Sequence, residues 1–170
     1  YLSTLTDQGY EPAASWGQML PRFLTGVAVA NHAESGETMK SFISGLRLAK
    51  LLSQVKAGDY LFIQFGHNDE KKNWPQTYVE AHTTYKAYLK VFIAEARLRG
   101  VTPVLVTSMQ RRTFDSAGKI RNTHGDYPQA VREVAAEEKV ALIDLDRMST
   151  AFYEALGPKK APLAFSAGGH

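Results

Sequence analysis

Two periods of apolar residues take turns along this chain. Residues 25–31 (TGVAVAN) are few, small or β-branched, which is the pattern of a strand. Residues 37–55 carry Phe42, Ile43, Leu46, Ala49, Leu52 and Val55 near helical spacing and predict an amphipathic helix. Gly58 and Asp59 punctuate. Residues 60–65 follow as a strand with apolar side chains on both faces, suited to the middle of a parallel sheet. Tyr85, Leu89, Phe92, Ile93 and Ala96 recur at i, i+4, i+7, i+8 and i+11, and Gly100 fits the C′ position where that helix stops. Residues 101–109 (VTPVLVTSM) predict another strand, and residues 128–139 a helix with proline in its first turn. Residues 140–145 then read as a strand, and residues 147–156 as a helix stopped by Gly157-Pro158. Residues 110–127 keep no period and predict a long polar loop, a feature often tied to function in compact domains.

Strand and helix alternating in this way imply an α/β fold, a parallel sheet with helices on both faces. Ligands of such sheets bind beyond the carboxyl ends of the strands. Three polar segments follow predicted strands: residues 31–36 (NHAESG), 66–69 (GHND) and 108–112 (SMQRR). They are expected on one edge.

Composition narrows the partners. The chain has 170 residues, which fits a single domain with one sizeable core. Its formal net charge is +3, and the longest positive clusters are Lys71-Lys72, Arg111-Arg112 and Lys159-Lys160, too short for a nucleic-acid footprint. No apolar run is long enough to span a membrane. Having no cysteine excludes a disulfide scaffold, a thiol nucleophile and a cysteine-ligated zinc. The histidines show no H-E-x-x-H spacing, and neither G-x-G-x-x-G, a phosphate loop nor G-x-S-x-G is present. No metal or cofactor is expected, and the oligomeric state stays open.

Three residues carry candidate chemistry, each beside a plainer role. The Asn68 amide donates without charge, as a developing oxyanion needs, and can equally form an Asx turn. Gly36 can serve a positive φ or offer an unobstructed backbone N–H. Ser3, after a strand tail at Tyr1-Leu2, can be a nucleophile or a cap. Among the histidines, His82 reads as solvated near a helix start, His124 lies in a polar loop on the presumed ligand edge, and His170 ends the chain.

Taken in order, Ser3-Thr4, a loop glycine at Gly36 and Gly66-His67-Asn68-Asp69 resemble the SGNH (GDSL-like) hydrolase superfamily. Within it, residues 15–21 (SWGQMLP), 31–36 (NHAESG), 65–69 (FGHND) and 122–128 (NTHGDYP) look like the rhamnogalacturonan acetylesterase group. The resemblance implies a flavodoxin-like three-layer α/β/α sandwich around a central, parallel, five-stranded sheet. It implies Ser3 as nucleophile, with an oxyanion hole made by the Ser3 N–H, the Gly36 N–H and the Asn68 side chain. Two blocks depart from the family pattern. Tyr1-Leu2 stands where the family has Gly-Asp before the serine, and Ala167 stands where the family has aspartate three residues before its histidine. The expectation is a single domain abridged at both ends, with His170 the candidate base.

The function so implied is removal of acetyl groups from a pectin-type polysaccharide through an acetyl-enzyme, outside the cell or in the periplasm. Arg111, Arg112, His124 and Asp126 are expected to meet the acetylated sugar, the two arginines attracting uronate carboxylates or else forming a solvated loop end. Trp74 and Tyr78 can stack on a pyranose ring or serve ordinary surface packing. Two alternatives stand beside it: an esterase or lipase of the same superfamily acting on other esters, and a catalytically incomplete carbohydrate-binding homologue.

Overall fold

The computed structural model describes residues 15–165. The strand tail at Tyr1-Leu2, the nucleophile candidate Ser3 and the base candidate His170 therefore lie outside the described residues. The chain enters through a short helix α1 (Trp16–Met19) and a 3-10 turn (Leu20–Phe23). Helices α2 (Met39–Ser44) and α3 (Arg47–Leu52) precede strand β1 (Tyr60–Ile63). Helix α4 (Lys86–Leu98), strand β2 (Thr102–Val106), helix α5 (Tyr127–Glu138), strand β3 (Ala141–Ile143) and helix α6 (Leu145–Lys160) complete the alternation.

The three strands form one parallel sheet in the order β1-β2-β3. Tyr60 pairs with Thr102 and Ile63 with Leu105, while Val104 pairs with Ala141 and Val106 with Ile143. Pro103 can sit in the central strand because β3 joins only at the next residue. Both faces of β2 are covered: Leu105 is buried in the main cluster, and Val104 and Val106, which alternate with it, are buried as well. That cluster unites Met39 and Phe42 of α2, Leu48, Leu51 and Leu52 of α3, Leu89, Phe92 and Ile93 of α4, and Val131 and Val134 of α5. All five positions picked out by the period of the α4 region are buried.

Among the described residues the structure departs from four expectations. The sheet has three strands among the described residues, not five. Residues 25–31 form no strand: they have no ladder partner among the described residues, and a strand without one is not stable in water. Tyr60 and Phe62 are exposed, and among the described residues β1 lies at the edge of the sheet rather than in its middle.

The predicted helix over residues 37–55 is split at Gly45 and Leu46, and Leu46 takes a left-handed φ of 59°. A continuous helix advances about 100° per residue, which would set Leu48 roughly 120° around from Phe42. The break lets both side chains enter the same core. At the far end, Gly157 (φ 69°, ψ 167°) interrupts α6 just before Pro158, where the Gly-Pro stop was expected.

Candidate active site

Because the strands are parallel, the segments after β1 and β2 emerge on one edge. Segment 66–70 follows β1. Gly66 has φ 131°, and a Cβ there would lie 2.5 Å from the Ser108 hydroxyl, so only glycine lets the two loops pass. The Ser108 and Tyr85 hydroxyls both donate to the Phe65 carbonyl, at 3.0 and 2.9 Å, fixing the point where the chain leaves the sheet.

Asp69 is fully buried. Its carboxylate accepts from the backbone N–H groups of Met39 and Gly66, each at 2.9 Å. Burial pushes this carboxyl up to about 6, against the pull of those two hydrogen bonds. The Tyr127 hydroxyl donates to the Asp69 and Val79 carbonyls. The aspartate thus shapes the loop and joins it to the first turn of α2.

Asn68 is held differently. Its Nδ2 donates to the Glu37 carbonyl at 3.2 Å, and its Oδ1 accepts from the Lys71 ammonium at 2.7 Å. A carbonyl only accepts and an ammonium only donates, so the two partners together set which way the amide points. The side chain therefore reaches across to the segment around Gly36 instead of forming an Asx turn. Gly36 is exposed, with φ 83° and open space where a Cβ would stand. The structure places the Asn68 amide against the residue that follows Gly36, 31 positions away in the chain.

Beneath this edge lies a polar cluster. Arg111 reaches Glu70 at 2.6 Å, the Thr123 carbonyl at 3.3 Å and the His67 carbonyl at 3.4 Å. The His124 ring is buried, with Nε2 donating to the Met109 carbonyl at 2.9 Å and Nδ1 at 2.9 Å from Glu70 Oε2. The His67 ring meets it edge-on, centroids 4.5 Å apart. Burial, then the charges of His124 and Arg111, push His67 down to about 4. Burial alone would raise the Glu70 carboxyl, but hydrogen bonds from His124 and Arg111 outweigh it and hold the group below its ordinary value. Sequence reasoning did not single out Glu70. Its position directly after the Gly-His-Asn-Asp block was the available signal.

The remaining expected contacts sit further out. A cleft of about 560 Å³ is bordered by Lys71, Lys72, Tyr78, Thr123, His124 and Asp126. Asp126 pairs with His82 at 3.2 Å. Trp74, in the segment that borders the cleft, is 52% exposed, and the Arg112 guanidinium lies 5.1 Å over the Phe165 ring. No three metal-binding side chains converge among the described residues.

A neutral amide beside an open glycine backbone, brought together from two loops on a rigid edge, suits an oxygen that gains negative charge during a reaction. Comparison with known proteins agrees with that chemistry. The profile of the GDSL-like Lipase/Acylhydrolase family matches residues 3–170. The chain is 42% identical over 155 residues to the rhamnogalacturonan acetylesterase RhgT of Bacillus subtilis, covering 91% of this chain and 65% of that protein. It is also 42% identical to the probable rhamnogalacturonan acetylesterase YesY of the same organism, covering 91% of this chain and 69% of that protein. The crystal structure of YxiM from Bacillus subtilis superposes with a TM-score of 0.83 at 29% identity, over 95% of this chain and 45% of that one. The chain thus spans about two thirds of the length of the two acetylesterases.

Proposed function

This chain belongs to the GDSL-like lipase/acylhydrolase family, and from that premise we propose that it is a serine esterase that removes acetyl groups from a pectin-type polysaccharide of the rhamnogalacturonan kind. The observation that carries the reading is the Asn68 amide set beside Gly36 at the carboxyl edge of the sheet. The identity to two rhamnogalacturonan acetylesterases supports the choice of substrate.

In this reading the Ser3 hydroxyl attacks the acetyl carbonyl and the carbonyl oxygen becomes an oxyanion. Asn68 Nδ2 has two hydrogens. One is engaged with the Glu37 carbonyl, which leaves the other to donate to that oxyanion with its direction already set. The Gly36 N–H joins it. A histidine base, for which His170 is the candidate, takes the serine proton and returns it to the departing sugar hydroxyl. Water then adds to the acetyl-enzyme and frees acetate. No step calls for a cofactor. The polymer runs along the cleft bordered by Lys71, Lys72 and Tyr78, and the exposed Trp74, one residue beyond the bordering Asn73, extends its contact.

The test is acetate release from acetylated rhamnogalacturonan, acetylated xylan and an aryl acetate, for the full-length protein and its Ser3→Ala variant. Release from the rhamnogalacturonan that disappears in the variant is expected. A folded wild type that releases no acetate from any of the three substrates overturns the esterase reading, and a preference for long-chain esters overturns the sugar reading.

A further inference from the structure

Arg111 and His124 were expected to face the sugar, yet the terminal nitrogens of Arg111 and both ring nitrogens of His124 bond to protein partners. The Arg111 guanidinium is shared among Glu70 (2.6 Å), the Thr123 hydroxyl (3.2 Å) and carbonyl (3.3 Å), and the His67 carbonyl (3.4 Å). A guanidinium whose two terminal nitrogens are bonded in this way is oriented by the protein rather than by a uronate carboxylate. Both His124 ring nitrogens are engaged, one with Met109 and one with Glu70, and its side chain has no exposed surface.

The contacts fall in a pattern. The cluster grips segment 66–70 at His67, immediately before Asn68, and at Glu70, two residues after it. From the other side, Asp69 ties the same segment to α2. Asn68 is the residue of the segment left to project toward Glu37, next to Gly36. We infer that Glu70, Arg111 and the buried His124 form a partly buried positioning unit that locks the loop of residues 110–127 onto the segment bearing Asn68 and thereby aims the Asn68 amide. An ionic group taken partly out of water is a weak source of net stability, and its best-attested use is to specify one arrangement among several. The alternatives excluded here are slides and tilts of the Asn68 loop. This assignment rests on the esterase reading for its catalytic consequence, but the aiming of Asn68 can be read without turnover.

The experiment is a double-variant cycle on an aryl acetate, which makes no sugar contacts. Arg111→Ala should lower kcat about 10–100-fold with KM little changed, since a displacement on the order of 1 Å suffices for such a loss. In an Asn68→Ala background the same substitution should cost less than about twofold, because the group it aims is gone. Equal losses in both backgrounds overturn the inference. So does an Arg111→Ala variant that keeps its aryl-acetate kcat and raises KM only for acidic oligosaccharides, the result expected of a sugar contact. Glu70→Gln, which preserves shape, repeats the test if Arg111→Ala does not fold.

NMR supplies the readout that stands apart from activity. The Asn68 side-chain amide resonances should move in Arg111→Ala and stay in place in Arg97→Ala, which removes a surface ion pair with Glu138. Unmoved Asn68 resonances overturn the positioning role even if the protein proves to be no esterase.

Discussion

Asp69 Oδ1 accepts a hydrogen bond from the backbone N–H of Met39 at 2.9 Å, across 30 positions of chain. This bond fastens the loop after β1 to the start of α2, three residues beyond Gly36. It sets the spacing between the two expected oxyanion donors. Asp69→Ala would leave the Met39 and Gly66 N–H groups buried and unpaired, at a cost of about 2–4 kcal/mol. Urea denaturation measures this, and a loss below about 1 kcal/mol would show that the loop holds without the carboxylate.

Asp69 and His67 make stability respond to pH in opposite directions. The folded Asp69 carboxyl is raised from 3.8 to about 6, so its contribution is full below about pH 4 and is lost as pH rises through 6. The folded His67 is lowered from 6.5 to about 4, so its contribution is full above about pH 6.5 and is lost as pH falls through 4. Each shift corresponds to on the order of 3 kcal/mol. Between pH 4 and 6.5, the wild-type advantage over Asp69→Asn should shrink, and the advantage over His67→Gln should grow. Parallel curves for both variants would contradict the assigned shifts.

Gly66→Ala should destabilise by about 2–4 kcal/mol, because it combines an unfavourable φ of 131° with a Cβ 2.5 Å from the Ser108 hydroxyl. The double variant with Ser108→Gly should recover the steric part and leave the conformational part. Thermal melts of the two variants separate these contributions, and full recovery would mean that the backbone conformation carries no cost.

Asn68→Ala should lower kcat about 10²–10³-fold on acetyl esters while shifting stability little, since its side chain bonds only at the partly exposed edge. Paired kinetics and melting curves test this. An unchanged kcat would remove Asn68 from the chemistry.

Trp74→Ala should raise KM for an acetylated polymer several-fold and leave an aryl acetate unaffected, with stability within about 0.5 kcal/mol because the ring is half exposed. Equal effects on both substrates would place the ring elsewhere than along the glycan.

Much of the fold was legible because it is locally encoded. The α4 period places Leu89, Phe92, Ile93 and Ala96 on one buried stripe whatever else the chain does. Gly157-Pro158 interrupts α6 through backbone chemistry alone. The Gly-His-Asn-Asp block lies at the carboxyl end of β1 because strand and breaker are adjacent in sequence.

Periodicity failed where the partner is distant. The small β-branched run at residues 25–31 reads as a strand, but a strand exists only through its ladder, and no ladder reaches it among the described residues. The apolar spacing over residues 37–55 reads as one helix, but the core needs Phe42 and Leu48 together, and only a break supplies that.

The sequence by itself determined the strand-helix alternation, the glycines where the backbone must turn, and the presence of Asn68 on a strand-end loop, because each follows from neighbours a few residues away. Tertiary structure alone decided that Asn68 points at Glu37, that Asp69 ties the two loops, and that Arg111 reaches Glu70. Each of these links joins residues about 30 to 40 positions apart, and which distant partner a polar side chain reaches depends on how the whole core packs rather than on any local pattern.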